Sequence, residues 1–244
     1  MCTTCGCQGN TYHEHDHHHY EHRIDSIEIE KAILEVNDYH AKHNREYLDK
    51  RNAVALNFVS SPGSGKTSLL EKTVSALQQK YLVAVVEGDQ HTEIDADRIR
   101  KVGGQAYQIN TGKTCHLDAH MVGHAFEHLA IAENSFVFIE NVGNLICPAM
   151  FDLGEHHRIA VISTTEGDDK PLKYPDMFYY ADTVVINKTD LLPYVDFDTK
   201  RCIDNIRKIR TEARVFELSV KTGQGLNIWV SWLKSLIKER INTV

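Results

Sequence analysis

The chain has 244 residues, 42% of them hydrophobic and 25% charged, with a formal net charge of −7. A chain of this length hides roughly 70% of its unfolded surface, so a sizeable core is expected and one α/β domain accommodates most of it. The acidic balance sets nucleic acid aside as a partner. No apolar run approaches the roughly 18 residues of a membrane span and no signal peptide opens the chain, so no membrane is expected and the expected location is cytoplasmic.

Two counts are out of line, 15 histidines and six cysteines. Residues 1–24 read as a flexible Cys/His-rich tail, too poor in apolar residues to offset the entropy of ordering. Cys2, Cys5 and Cys7 stand within it in a C-x-x-C-G-C run, followed by His13, His15, His17, His18, His19 and His22. Three clustered cysteines cannot pair off as disulfides. Three thiolates on so short a span suit Ni²⁺, Zn²⁺ or Cu⁺, with the histidines as a looser reservoir. A helix is expected next, within residues 25–51, because Ile29, Ile33 and Val36 recur at helical spacing.

From residue 52 to 244 strand and helix patterns alternate. Apolar runs at 53–59, 82–86, 105–109, 135–139, 159–163, 183–186 and 214–218 are separated by helical stretches near 66–80, 91–102, 116–133, 170–181, 197–211 and 225–241. This predicts an α/β fold, a mostly parallel sheet of about seven strands with helices on both faces. In such sheets ligands gather at the carboxyl ends of the strands.

The first run is followed by Ser60-Ser61-Pro62-Gly63-Ser64-Gly65-Lys66-Thr67 and then a helix opening at Ser68. This is a Walker A phosphate loop in its strand–loop–helix setting. Gly63, Ser64, Gly65 and Ser68 turn the backbone around phosphate oxygens, Lys66 reaches the terminal phosphates and the Thr67 hydroxyl is placed for Mg²⁺. Ser60 replaces the usual opening glycine. After the sixth run comes Asn187-Lys188-Thr189-Asp190, where the Asp190 carboxylate can accept both guanine donors that adenine lacks, and Ser219-Val220-Lys221 supplies a third base-contacting loop. GTP is favoured over ATP. Asp89 in Glu87-Gly88-Asp89, and Glu140 in Glu140-Asn141-Val142-Gly143, are candidates for contact with Mg²⁺ or its water. Asp95 is the candidate for orienting an attacking water. No arginine stands at the motif position of an internal finger, so slow hydrolysis is expected.

A second Cys/His cluster lies inside the domain. Cys115 and His116 are expected to open a helix on which His116, His120, His124 and His128 recur every four residues, and Cys147-Pro148 follows Glu140–Gly143, which occupies the place of the common D-x-x-G switch with Glu for Asp. Two cysteines and an adjacent histidine beside loops that answer to the γ-phosphate favour a metal site over small buried hydrophobes. His124 and His128 are expected at the surface, and Cys202 in the core.

These motifs together resemble the HypB family, the nickel-incorporation GTPases of hydrogenase maturation, of the SIMIBI class of P-loop NTPases. The resemblance runs from Cys2 to Gly225 through SSPGSGKT, EGD, INTGKTCHLDAH, IENVGNLICP, TEGDDKPLKYP and NKTDLLPYVDFD. It implies a tight nickel site at Cys2, Cys5 and Cys7. It also implies a zinc or nickel site at Cys115, His116 and Cys147 near a dimer interface, with His120 in a secondary site. Lys173 would contact nucleotide across a GTP-dependent homodimer. The implied function is GTP hydrolysis coupled to delivery of Ni²⁺ to the immature large subunit of a [NiFe] hydrogenase, with a small zinc-containing nickel metallochaperone as partner. The urease nickel-delivery GTPases are a sister family, disfavoured by C-x-x-C-G-C and by the Asn144–Pro148 run. A cobalamin-linked or signal-recognition GTPase leaves the cysteines unexplained. A nickel-storage protein, with the tail holding most of the metal, is the alternative from another class.

Overall fold

The computed structural model describes residues 18–89, 93–112 and 114–243. Cys2, Cys5 and Cys7 lie outside them. Helix α1 spans His18–Asp49 and is already helical ahead of Asp25. Its residues up to Val36 belong to one unit, and a second unit, which carries the sheet, begins at Asn37. In the first unit Ile29, Ile33 and Val36 are exposed rather than buried. The Lys31–Glu35 pair there, at 3.9 Å, is a solvated i,i+4 contact worth about 0.3 kcal/mol.

The second unit holds strands β1 (Val54–Ser60), β2 (Val83–Asp89), β3 (Gln105–Asn110), β4 (Phe136–Glu140), β5 (His157–Ser163), β6 (Thr183–Asn187) and β7 (Arg214–Glu217). They form one parallel sheet in the order β3-β2-β4-β1-β5-β6-β7. The helices are α2 (Lys66–Leu77), α3 (Ile94–Lys101), α4 (Ala119–His128), α5 (Cys147–Met150), α6 (Lys170–Lys173), α7 (Pro175–Tyr180), α8 (Thr199–Ile209) and α9 (Leu226–Thr243), with a 3₁₀ turn at Thr189–Tyr194.

Two cores explain why the strands read as continuous apolar runs. Alternate side chains leave opposite faces of a strand, so a sheet covered on both faces needs both sets apolar. Leu56 and Phe58 of β1 and Val161 of β5 pack with Leu69 and Val74 of α2 and Trp229 of α9. Val59, Ala160, Ile162 and Ile186 pack on the other side with Phe178 of α7 and Ile206 of α8. The seven-stranded, doubly covered architecture is the one the alternation predicts. Cys202 is fully buried in the second core, and burial pushes its thiol up to about 12.

Two further elements depart from the sequence reading, and both bear on the site. The helix expected from residue 116 starts at Ala119, because the Asp118 side chain accepts the Met121 N–H at 2.8 Å and caps it. His116 therefore sits in the preceding loop, not on a helical face with His120, His124 and His128. The helix expected over 170–181 is two short ones. Pro175 cannot donate a helical hydrogen bond and turns Tyr174 away from helical geometry, at φ −130° and ψ 59°.

Candidate functional site

The phosphate loop connects β1 to α2. Gly65 has φ +96°, and a β-carbon there would come within 2.6 Å of Asn187 Nδ2, so the position needs glycine for both its backbone and its neighbour. Lys66 is buried and donates to Ser60 Oγ at 2.9 Å. The serine that replaces the usual glycine thus holds the lysine of the loop. Ser61 Oγ donates to Glu166, which also accepts from Ser163 N and pairs with Lys170 at 3.0 Å. Glu166, unmarked in the sequence reading, therefore fastens the 163–170 loop to the phosphate loop.

Beside this cradle stands a carboxylate pair. Glu87 and Glu140 occupy paired positions on β2 and β4. Both are buried, and Thr67 Oγ1 donates to Glu140 Oε1 at 2.7 Å. Burial, and then the neighbouring Glu140, hold Glu87 well above the ordinary carboxyl range. Burial also raises Glu140, against the opposing pull of Lys66 and Thr67. Glu87 Oε1 and Glu140 Oε2 are buried with no hydrogen-bond partner among the described residues. Such oxygens are costly unless a cation completes them, and with Thr67 they fit Mg²⁺ as an oxygen-binding ion. Asp89, the candidate of the Glu-Gly-Asp triplet, ends β2, and a glutamate inside an otherwise apolar buried strand is the signal for Glu87. Asp95 lies on α3, where Arg98 pairs with it at 3.2 Å.

The Asn187–Asp190 loop and the loop after β7 converge on the phosphate loop. Asn187 Nδ2 donates to Ser64 O at 3.0 Å, while its Oδ1 accepts from Lys188 N and Val220 N. One amide therefore ties the phosphate loop, the Asn187–Asp190 loop and the loop after β7. Asp190 accepts from Ser219 Oγ at 2.6 Å. Gly65, Ser68, Lys188, Asp190 and Lys221 line a cleft of about 300 Å³. Lys173 is exposed and pairs with Asp169 at 2.6 Å.

Cys115, His116 and Cys147 offer ligand atoms that all lie within 4.8 Å of one another, the one such group of three or more among the described residues. Burial lowers the His116 imidazole, which keeps it neutral and able to donate a lone pair, and its ring stacks on Phe151 with centroids 4.0 Å apart. Burial and the adjacent Cys115 push the Cys147 thiol up to about 11. Two soft thiols and an imidazole fit a borderline ion such as Ni²⁺ or Zn²⁺. His120 is not one of the three; its exposed ring lies edge-on to His40, with centroids 5.0 Å apart. His124 and His128 are exposed.

The segment from Glu140 to Cys147 joins the two sites. Ser60 of the phosphate loop forms a backbone bridge with Asn144. A β-carbon on Gly143 would lie 3.2 Å from Pro62. Asn141 Oδ1 accepts from Leu117 N at 3.2 Å, beside His116, and Asn144 Nδ2 donates to Cys115 O at 3.5 Å. Behind Cys147, buried Arg158 pairs with Glu155 at 2.7 Å and donates to the carbonyls of Ala149 and Phe151.

The parallel sheet with its strand–phosphate loop–helix unit defines a P-loop nucleotide-binding protein. The CobW/HypB/UreG nucleotide-binding domain matches residues 54–217. The hydrogenase maturation factor HypB of Rhizobium leguminosarum bv. viciae is 55% identical over 208 residues, spanning 85% of this chain and 70% of that protein. The HypB of Escherichia coli K12 is 42% identical over 286 aligned positions, spanning 96% and 99%. A crystal structure of HypB from Helicobacter pylori in complex with nickel has 42% identity and a TM-score of 0.79, covering 83% of this chain and 95% of that one. The chain belongs to the HypB family of hydrogenase maturation factors, as its motifs imply.

Proposed function

We propose that this protein hydrolyses GTP and couples its nucleotide state to the transfer of Ni²⁺ toward the immature large subunit of a [NiFe] hydrogenase. The observation that carries the reading is the shared segment. Glu140 faces Thr67 in the phosphate cradle, and Cys147 of the metal cluster lies a few residues on, with Asn141 and Asn144 bonded to the chain around Cys115 and His116. A displacement at the cradle must therefore disturb the metal ligands. GTP can only drive release if metal affinity differs between the two nucleotide states.

In this reading Gly63, Ser64, Gly65, Lys66, Thr67 and Ser68 hold the phosphates. Asn187, Lys188, Asp190, Ser219 and Lys221 select guanine. Thr67, Asp89, Glu140 and Glu87 would hold Mg²⁺ or its water, and the ion would supply charge neutralisation on the β- and γ-phosphates. Asp95 orients the attacking water. Ni²⁺ is cargo at Cys115, His116 and Cys147, a site that also suits Zn²⁺, and His120 offers a secondary ligand. Cys2, Cys5 and Cys7 form a separate tight nickel site, with the adjoining histidines as store.

The family resemblance supports a GTP-dependent homodimer in which Lys173 leaves Asp169 to reach the partner's nucleotide. It also supports a small zinc-containing metallochaperone as partner and action in the cytoplasm. The test is release of Ni²⁺ from loaded protein to a chromogenic chelator in single turnover. GTP should accelerate release from the wild type and not from Lys66→Ala. Equal release rates with and without hydrolysis would reject the coupling.

A further inference from the structure

We propose that Arg98 is a positioning residue for hydrolysis, holding Asp95 at the phosphate cradle by clamping α3 to the helix that carries Thr67. The inference rests on the reading of Asp95 as the carboxylate that orients the attacking water. One guanidinium makes three contacts. Its Nη1 donates to Asp95 Oδ1 at 3.2 Å, and its Nη2 donates to Glu71 Oε2 at 2.8 Å and to Ser68 Oγ at 3.1 Å. Ser68 directly follows Thr67, and Glu71 lies one turn further along α2, so the arginine grips the phosphate-loop helix with one arm and Asp95 with the other.

Asp95 needs such a clamp, because about a third of its side chain is open to solvent. α3 itself is a weak support, eight residues long with only Ala96 and Ile99 buried. A guanidinium is always charged and presents its donors in a rigid fork, so it can serve Asp95, Glu71 and Ser68 together. An ammonium keeps the charge and loses the fork. All three contacts of Arg98 are to side chains of this chain, Asp95, Glu71 and Ser68, so its proposed action runs through Asp95.

The test measures single-turnover GTP hydrolysis and GDP affinity on the full chain for Asp95→Asn, Arg98→Ala, Arg98→Lys and the Asp95→Asn/Arg98→Ala double variant. Loss of positioning should slow Arg98→Ala by about 10- to 100-fold with GDP affinity retained. Arg98→Lys should fall between it and the wild type. The double variant should be no slower than Asp95→Asn, because a residue that acts through another adds nothing once that other is gone. Wild-type hydrolysis by Arg98→Ala would overturn the inference. So would losses that multiply in the double variant, or a slowing matched by an equal loss of GDP affinity, which marks a merely structural strut. Wild-type hydrolysis by Asp95→Asn would remove the premise itself. Should Arg98→Ala fail to fold, Arg98→Lys decides alone: slower turnover at unchanged GDP affinity upholds the clamp, and unchanged turnover rejects it.

Discussion

The phosphate cradle and the metal cluster lie at opposite ends of one short segment, and they are built differently. The cradle is contiguous in sequence, seated between β1 and α2, and pinned by Ser60, Asn187 and the buried Glu87–Glu140 pair. The metal cluster is assembled from two loops, with Cys115 and His116 ahead of α4 and Cys147 at the start of a four-residue helix. All three of its ligands are only partly buried. A site on rigid elements fixes its ligand's geometry, whereas a site on loops can take two geometries. That contrast supports the proposal that the nucleotide is held firmly while the metal is handed on.

The comparison can be broken from either side. The largest effect is expected at the base: Asp190→Asn should reduce the preference for GTP over ATP by about 10⁴, measured as a ratio of affinities, while metal binding stays unchanged. Next comes Arg158→Ala, which leaves Glu155 buried without its partner and frees the carbonyls behind Cys147. It should cost about 3–5 kcal/mol in urea unfolding and weaken metal binding more than nucleotide binding. A metal affinity untouched by that change would mean that the loop needs no buried anchor.

Protons offer a smaller perturbation remote from both sites. Burial and Arg240 lower His156 to about 4, against the opposing pull of Asp49. A histidine depressed in the folded state takes up its proton more readily when unfolded. Its contribution is therefore complete above about pH 6.5 and is lost as pH falls toward 4. Moving from pH 7 to pH 5 should cost on the order of 2 kcal/mol through this group, and His156→Gln should flatten that part of the pH–stability profile. The smallest effect on stability is expected at Asn141, whose Oδ1 accepts from Leu117 N and Val142 N. Asn141→Ala should cost about 1 kcal/mol of stability, yet narrow the difference in metal affinity between nucleotide states.

What could be read from the sequence follows the same division. SSPGSGKT and NKTD are runs in which each residue type answers a local demand, so the strand–loop–helix unit and the turn after β6 form where the motifs stand. The sheet was legible because doubly covered parallel strands are apolar throughout. The Cys115 cluster was legible as composition, but its local structure was not: the four-residue histidine spacing pointed to a helix through His116, and the cap at Asp118 starts the helix later. Glu87, Arg98 and Glu166 escaped because their meaning lies in partners on other elements, namely Glu140 across the sheet, Glu71 and Ser68 on α2, and Ser61 in the phosphate loop. The exposure of Ile29, Ile33 and Val36 shows the converse, a helical apolar pattern left unburied among the described residues.

The most direct test of the central claim is nickel affinity measured with GDP and with a non-hydrolysable GTP analogue, for the full chain and for Cys115→Ala/Cys147→Ala. The account predicts a nucleotide-dependent affinity in the wild type that disappears in the double variant, whose remaining nickel binding ignores the nucleotide. Equal, nucleotide-independent binding by both proteins would contradict it. The metal would then be held by the tail alone, as in a storage protein.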